Sequence, residues 1–375
     1  MKLLSQMITI DSVNPRMIEG ATGEGRLGDF LADKLRDIGL HVRRQKVEPG
    51  RSNVIGVLRG SSRKPRLMLN GHMDTVGSEG MKSPFRPRIM AGRIYGRGAC
   101  DMKGPITAII AAAKSIVESR VELRGDLLLA FVVDEEYQSA GTERLIRDET
   151  ADSAIVGEPT RMEVSTCHRG FVWLEIEFRG KASHGGVPEK GVDAVEYASK
   201  LISHLDRLRR KFGSRRHPLL GRPVIHSSTI QGGVGWSTIP ERCLVRLERR
   251  TLPGESPRKI LAELNRLIQT LKPQLDAVKV ESRIRFHGLP MEVSRNEKVV
   301  RLLTRSVRSV GRQAVISGQP YWSDASILVN KAGIPTCLFG PGDISVAHSD
   351  HEYVELVDLA LASRVYMNTT VQFLQ

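Results

Sequence analysis

Long apolar runs, cysteine pairs and aromatic residues are all scarce in this sequence, and each scarcity excludes a class of protein. No stretch approaches the roughly 18 consecutive apolar residues of a membrane-spanning helix. The four cysteines form no CxxC pair, which argues against a disulfide framework and against a cysteine zinc site. Aromatic residues make up only 5% of the chain, and no basic run is interleaved with them as in many nucleic-acid-binding segments.

The opening residues do not resemble a secretory signal peptide. They carry one lysine and a short apolar run that Gln6, Asp11 and Asn14 interrupt, and no small-residue cleavage site follows. The cysteines read as buried thiols of a reducing compartment. The sequence therefore predicts a cytoplasmic protein that is neither secreted nor inserted into a membrane.

The balance of charge is the one unusual feature of the composition, with a formal net charge of +14. Basic residues occur along the whole chain, with local clusters at Arg43-Arg44, Arg209-Arg210-Lys211 and Arg215-Arg216. A positive surface attracts anionic partners, nucleic acid among them. Because no basic recognition helix accompanies these clusters, we interpret the charge as a solvated face that attracts anionic substrates, and we predict no nucleic-acid partner.

The chain is long enough, at 375 residues of which 40% are hydrophobic, for two domains with buried cores. Apolar strands alternate with helical segments in 1–166 and again in 287–375, which is typical of an α/β sheet covered on both faces. The segment 167–286 has the order β-α-β-β-α-β of a split βαβ domain, with a single helix expected from Val192 to Phe212. The sequence thus predicts a second domain, 167–286, inserted into the first.

Side chains able to do chemistry follow predicted strands or lie in loops at five places. They are His72 with Asp74, Asp101, the acidic run Asp134-Glu135-Glu136, Glu158, and the histidines His348 and His351. Singly, each also has an ordinary interpretation, such as a structural histidine, a helix cap or a solvated acidic loop. In open α/β sheets, however, sites collect at the carboxyl ends of strands. A mixed set of imidazole and carboxylate ligands suits zinc or cobalt better than magnesium.

Six segments, spread over nearly the whole chain, carry a resemblance to a known family. They are GHMDTV, GRGACDMKG, DEEYQSAGT, VGEPT, RGKASHGG and GPGDISVAH. In these the sequence resembles the dizinc aminoacylases and carboxypeptidases that include acetylornithine deacetylase and succinyl-diaminopimelate desuccinylase. The resemblance implies an α/β fold, with a mixed-sheet zinc-peptidase-like catalytic domain and an inserted ferredoxin-like (βαββαβ) lid and dimerisation domain. It also implies a homodimer formed through that inserted domain.

The resemblance further implies a metal centre with two divalent ions, Zn2+ or alternatively Co2+. His72 and Glu158 would bind one ion, Glu136 and His348 the other, and Asp101 would bridge them. Two ions that share a water lower its pKa and polarise the scissile carbonyl. The resemblance therefore implies a metal-dependent amidohydrolase or metallopeptidase that acts on linear amide or peptide bonds.

Further roles are implied for residues around the metal ligands. Glu135 would be the general base, Asp74 would orient His72, and His184 of the inserted domain would stabilise the oxyanion. The spacing between GPG and AHxxxE favours His348 over His351 as the ligand. Substrate contacts are predicted at four positions, namely Arg250, Ser237, Asp324 and Gly340. Asp324 would face a basic group of the substrate or, as a loop acid, have a structural role instead.

Two departures from the family pattern bear on the substrate. Ser237 stands where the family commonly has asparagine, and Ser326 stands where many relatives, the desuccinylase branch included, carry arginine. We therefore expect hydrolysis of an N-acyl amino acid, as in acetylornithine deacetylase, with release of an acid and a free amino acid. A dipeptidase or carboxypeptidase acting on short peptides with the same metals is the alternative. Outside enzymes, the alternative is a catalytically dead binding paralogue.

Overall fold

The structure is a computed structural model that describes residues 1–213 and 215–375. The chain forms two compact units, each with its own core. The first unit comprises Met1–Thr166, Glu292–Ser317 and Ser323–Gln375, and the second comprises Cys167–Met291 and Gly318–Trp322. The inserted segment predicted from the sequence, 167–286, differs from the second unit by 287–291 and 318–322. The assignment of catalytic and lid or dimerisation roles to the two units stays a prediction.

The helices and strands are numbered here in chain order. The helices are α1 Lys2–Ile8, α2 Gly25–Ile38, α3 Lys103–Glu118, α4 Ala140–Asp148, α5 Ala194–Ser203, α6 Leu205–Lys211, α7 Pro257–Thr270, α8 Lys298–Ser309, α9 Ala325–Asn330 and α10 Leu356–Leu374. The strands are β1 His41–Glu48, β2 Arg51–Leu58, β3 Arg63–His72, β4 Arg88–Met90, β5 Arg93–Tyr95, β6 Gly125–Val132, β7 Ser153–Val156, β8 Val164–His168, β9 Gly170–Arg179, β10 Ser183–His184, β11 Val224–Gly232, β12 Thr238–Ile239, β13 Arg242–Thr251, β14 Lys279–Gly288, β15 Met291–Glu292, β16 Ile316–Gln319, β17 Thr336–Leu338 and β18 Tyr353–Glu355.

The first unit is built on a mixed sheet in which β1, β2, β6, β3, β7 and β17 lie side by side in that order. β3 runs parallel to both of its neighbours, β6 and β7, whereas β1 and β2 are antiparallel to each other. Every residue of β6 is buried, as expected of a strand covered on both faces. The carboxyl ends of three adjacent parallel strands therefore meet at one edge of the sheet.

The helices of the first unit cover this sheet with small and branched apolar side chains. In α3, the run of alanines and isoleucines buries residues such as Ile109 and Ala113. α10 packs against both α3 and α8. Together with Leu69 and Phe131 from the sheet, these side chains form one continuous core. Within the described ranges, no helix has the length and apolarity needed to cross a membrane.

The second unit has an antiparallel four-stranded sheet in the order β11-β13-β9-β14. Alternate residues of β9 and β13, such as Ile176 and Val245, point into a core that Leu264 of α7 completes. This arrangement is the ferredoxin-like βαββαβ fold predicted for the inserted segment. Together with the mixed sheet of the first unit, it confirms the predicted fold class.

The prediction of one helix from Val192 to Phe212 was wrong, because the structure has two helices that meet at His204. The ring Nδ1 of His204 lies 2.7 Å from the carbonyl oxygen of Lys200, and the His204 backbone N–H turns to Leu201 instead. A side chain that competes for an i−4 carbonyl interrupts the helical hydrogen-bond ladder. α5 therefore ends here and α6 begins.

Candidate metal centre

Three of the candidate segments follow the three adjacent parallel strands. His72 is the last residue of β3, Glu135 and Glu136 come just after β6, and Glu158 comes just after β7. Since these strands run parallel and side by side, their carboxyl ends present the four side chains at the same edge of the sheet.

Asp101 is brought to this edge by the loop that leads into α3. Its Oδ1 lies 2.9 Å from Nε2 of His72. Its Oδ2 lies 3.2 Å from Nε2 of His348, a residue from the far end of the chain. Asp101 thus stands between two imidazoles, which is the position expected of a carboxylate shared by two cations.

Three of these side chains form a compact group of potential ligands. One ligand atom each from His72, Asp101 and Glu136 lies within 4.8 Å of the others. His348 joins the group through its Nε2, which lies 3.0 Å from Oε1 of Glu136. His351 lines a separate cavity of about 340 Å³ with residues such as Lys82 and Arg86. The geometry therefore favours His348 over His351 as a ligand.

Asp74 contacts both the ring of His72 and the backbone of the Glu135-Glu136 segment. Nδ1 of His72 faces the backbone oxygen of Asp74 at 3.0 Å and its carboxylate at 3.6 Å. This leaves Nε2 of His72 facing Asp101, as in a metal-binding histidine oriented by an outer carboxylate. The same Asp74 carboxylate accepts hydrogen bonds from the backbone N–H groups of Glu135 and Glu136, at 3.1 and 3.0 Å.

The glutamates of the site have too few cations nearby to offset the cost of ionising them in a buried place. Burial, together with the charge of Asp101, raises the pKa of Glu136 and of Glu158. Burial also raises the pKa of Glu135, to which the nearby charge of Glu158 contributes. Oε1 of Glu158 is buried and has no hydrogen-bond partner within residues 1–213 and 215–375. Buried polar atoms are rarely left without a partner, so this oxygen and its acidic neighbours fit a bound cation.

The histidines respond to the same acids in the opposite direction. Burial opposes protonation of His72, but its contacts with Asp101 and Asp74 outweigh this and raise its pKa well above the ordinary value. The pKa of His348 rises to about 11, because hydrogen bonds to Asp101 and Glu136 outweigh burial. The imidazoles thus provide part of the positive charge that a divalent ion would supply in full.

A buried polar network behind the site was not predicted from the sequence. Nδ2 of Asn14 donates to Asp74 at 2.8 Å and to Asp134 at 3.2 Å. Arg51 donates to Asp134 at 3.1 Å and pairs with the buried Glu24. In the sequence, Asn14 precedes a proline, and this pair of residues predicts a turn but gives no indication of a buried hydrogen-bond network. Because these partners are far apart in the chain, no local spacing could have revealed the network.

His184 and Ser237 lie in the second unit, on neighbouring short strands and turns. β10, which contains His184, pairs with β12, where Thr238 is its partner. Both His184 and Ser237 are exposed. Nδ1 of His184 accepts a hydrogen bond from the backbone N–H of Gly186 at 3.0 Å. A neutral ring in this arrangement carries its proton on Nε2.

Two further residues predicted to contact the substrate, Arg250 and Asp324, have different surroundings. Arg250, at the end of β13, is half-buried, pairs with Glu248 and lies 5.9 Å from the ring of Phe171. Asp324 is buried, and the hydroxyl of Thr142 donates to its Oδ2 at 2.6 Å. Burial outweighs this hydrogen bond and raises the pKa of Asp324 to about 7.

Gly340 holds the turn that carries Glu158. Its N–H donates to the hydroxyl of Thr160 at 3.1 Å, and its carbonyl accepts from the N–H of Met162 at 3.0 Å. A Cβ added at this position would lie 2.6 Å from the backbone oxygen of Glu158. Close backbone packing explains the glycine, and a direct contact of Gly340 with substrate stays a prediction.

Imidazoles and carboxylates that meet at the carboxyl edge of an α/β sheet are the side chains expected of a metal centre. The sequence comparison agrees, because residues 68–372 match the peptidase family M20/M25/M40. This match covers most of the chain, which therefore belongs to that family of metal-dependent amidohydrolases and peptidases. The predicted family resemblance and the predicted enzyme class are both confirmed.

Named relatives show how varied the family is. The chain is 29% identical over 358 residues to an acetylornithine deacetylase of Myxococcus xanthus, with 92% of this chain and 91% of that protein covered. It is also 29% identical over 378 residues to the N-formyl-4-amino-5-aminomethyl-2-methylpyrimidine deformylase of Bacillus subtilis (strain 168), covering 92% and 88%. Its fold is similar to a tripeptidase of Staphylococcus aureus, with a TM-score of 0.81, 22% identity and 99% and 97% of the chains covered.

Proposed function

We propose that this protein uses two divalent metal ions to hydrolyse the amide bond of an N-acyl amino acid, releasing an acid and a free amino acid. The observation that carries the proposal is the group of buried, unbalanced acids around His72 and Asp101, with one oxygen of Glu158 left without a partner. In this proposal His72 and Glu158 hold one ion, Glu136 and His348 hold the other, and Asp101 is shared. When bound, such ions act as Lewis acids that polarise the scissile carbonyl and lower the pKa of water.

Glu135 is the proposed general base. Its Oε2 lies 3.9 Å from Nε2 of His72, so its carboxylate reaches the same space as the ligand atoms. Glu135 accepts the proton of the attacking water and returns it to the leaving nitrogen. Because burial raises the pKa of Glu135, this carboxylate accepts a proton more readily than an exposed one, which suits the first of these two steps.

His184 is the proposed donor to the oxyanion that forms on the carbonyl. Since its Nδ1 accepts from Gly186, Nε2 is the nitrogen that presents a proton outward. A preorganised donor of this kind lowers the barrier where negative charge develops. Arg250 is proposed to bind the substrate carboxylate, for which a planar guanidinium offers two parallel donors.

We also propose a homodimer formed through the second unit. Its edge strand β11 is exposed along nearly its whole length, and large apolar side chains such as Val234 and Trp236 are exposed nearby in sequence. Unpaired strand edges and exposed apolar side chains favour association with a second chain. In the proposed dimer, His184 acts in the site of the partner subunit.

Mixing two inactive variants tests this arrangement. Glu135→Ala and His184→Ala should each be nearly inactive alone. If His184 acts across the dimer, subunit exchange should restore about a quarter of the wild-type activity, since each mixed dimer then holds one intact site. A mixture that stays inactive, although purification through a different affinity tag on each variant shows that mixed dimers have formed, would remove His184 from the partner's site.

The relatives favour removal of a short acyl group. The curated relatives reported above are named as a deacetylase and a deformylase. The direct test is a panel of N-acetyl amino acids, N-formyl amines and dipeptides, presented to metal-stripped protein with and without added Zn2+ or Co2+. Metal-restored cleavage of the acyl substrates supports the proposal. Preferential cleavage of dipeptides would replace it with a dipeptidase, and binding of two metals without cleavage of any substrate would indicate a binding paralogue.

A further inference from the structure

Glu352 lies inside the first unit, four residues after the proposed ligand His348, and each oxygen of its carboxylate accepts two hydrogen bonds. It is only 1% exposed. Its Oε1 accepts the backbone N–H groups of Cys100 and Asp101 at 2.8 and 3.0 Å. Its Oε2 accepts the N–H of Gly98 at 2.9 Å and a guanidinium N–H of Arg97 at 2.7 Å.

These four contacts hold the loop that carries Asp101. Three of them are to backbone N–H groups, which need partners when they are buried. The loop passes through Gly98, whose φ of 81° lies in the left-handed region, so helical or strand hydrogen bonds do not fix its course. The carboxylate of Glu352 takes the place of those regular hydrogen bonds.

The same carboxylate joins two segments that both supply proposed ligands. Asp101 and Glu352 are 251 positions apart, and Glu352 follows His348 within the same short segment. The distances from Asp101 to His72 and to His348, 2.9 and 3.2 Å, therefore depend on where Glu352 holds the Asp101 loop. If Glu352 served only to pair with Arg97, the ion pair would be sufficient. The three additional contacts to backbone N–H groups show that its carboxylate also holds the loop.

We propose that Glu352 is a positioning residue, which sets Asp101 between His72 and His348 and thereby determines the affinity of the site for its metal ions. This inference rests on the proposed function, because it takes Asp101 as the shared ligand. Replacement of a residue that orients a metal ligand typically lowers the metal affinity by about 10- to 100-fold.

The substitution Glu352→Gln tests the proposal in the full-length protein. Glutamine has the same shape, but its NH2 group would face N–H donors, so two of the four contacts would become donor against donor. Titration of the metal-stripped variant with Zn2+ against a chelating indicator should show an affinity lower by about 10- to 100-fold. The visible absorption spectrum of the Co2+-loaded variant should differ from that of the wild type, and kcat should fall with little change in KM.

The matched control is Glu355→Gln, three residues further along. Glu355 pairs with Arg93 and is 35% exposed in its side chain, and it contacts no proposed ligand in the described structure. This variant should keep the wild-type Zn2+ affinity and Co2+ spectrum.

Each outcome decides the proposal. A folded Glu352→Gln variant with wild-type affinity and spectrum would overturn it and leave the proposed function intact. A wild-type protein that binds no Zn2+ in the same titration would overturn both. If Glu352→Gln fails to fold, Glu352→Asp is titrated instead, since its side chain keeps the charge but is too short to hold the three backbone N–H groups in the same way. An unchanged affinity in that variant would then overturn the proposal.

Discussion

Two sets of glutamates in this molecule, one in each unit, have opposite surroundings. In the first unit, burial raises the pKa of Glu158 and Glu136, and nearby acids add to this effect. In the second unit, Glu175 faces Arg246, Arg283 and other arginines. Burial of Glu175 favours its neutral form, but the arginine hydrogen bonds outweigh this and lower its pKa.

The two sets of glutamates differ in whether positively charged side chains lie close to them. The charge of Glu175 is balanced within the chain, by side chains that reach it across the sheet. The charge of Glu158 is not, and one of its oxygens lacks a hydrogen-bond partner among the residues that the structure describes. Clusters of acids with raised pKa values are typical of functional sites, because folding alone would favour balancing or removing them.

The largest expected effect is on catalysis, from Glu135→Ala. Loss of the general base should lower kcat by about 10²- to 10⁴-fold, while both metal ions stay bound because no proposed ligand is removed. Steady-state kinetics and metal analysis of the same preparation measure the two quantities. Full activity in this variant would contradict the proposed mechanism, and loss of metal would make Glu135 a ligand instead.

The second effect is on metal binding and stability together, from Glu158→Gln. The metal-free variant should be more stable than the metal-free wild type by about 1 kcal/mol, because glutamine is neutral and avoids the cost of burying or protonating the Glu158 carboxylate. Its Zn2+ affinity should fall by more than about 100-fold, since a ligand is lost. Thermal unfolding with and without Zn2+ measures both. A variant that is less stable without metal would show that the charge of Glu158 is balanced after all.

The third effect concerns pH and Asp324. Its folded pKa of about 7 lies above the ordinary value of 3.8, so the folded protein holds this proton more tightly than the unfolded chain. The contribution of this group to stability is therefore complete below pH 3.8 and is lost as the pH rises to about 7. The metal-free wild type should therefore lose more stability between about pH 5 and about pH 8 than the metal-free Asp324→Asn variant. Denaturant unfolding of both proteins at each pH measures this difference.

The exposed acid Asp33 of α2 offers a control for this comparison. Asp33→Asn should follow the wild-type pH dependence. Parallel curves for wild type and Asp324→Asn would show that Asp324 does not hold its proton in the folded state.

The smallest effect is expected from Glu175→Gln in the second unit. Its arginine partners are largely exposed, so the ion pairs contribute little and the loss of stability should be about 0.5–1 kcal/mol. Zn2+ affinity should not change. If Glu175→Gln instead stabilised the protein, as expected for Glu158→Gln without metal, the contrast between the two sets of glutamates would disappear.

The elements with strong local patterns were predictable from the sequence. The sequence pattern predicts a strand over Asp126–Val133 and a helix over Gly25–Gly39, and β6 and α2 lie within one residue of these bounds. The three-stranded sheet β18-β5-β4 was not predictable, because each of its strands has three residues. Its pairing joins Tyr95 to Tyr353 across most of the chain, and no local periodicity records such a contact.

The candidate site divides in the same way. His72, Glu136 and Glu158 could be singled out because each follows an apolar strand, and strand ends in α/β sheets are where sites form. Asn14 and Glu352 could not, because their importance lies in hydrogen bonds to residues that are far away in the sequence. The preference for His348 over His351 also gained its geometric support only from the folded chain.

The sequence by itself determined the fold class, the family and the segments that carry the candidate ligands. These follow from hydrophobic periodicity and from motifs, and both are properties of neighbouring residues. The tertiary structure decided which acids lie unbalanced together and which carboxylates hold the others in place. The physical reason is that burial, charge balance and hydrogen-bond partners arise only when distant segments pack against one another.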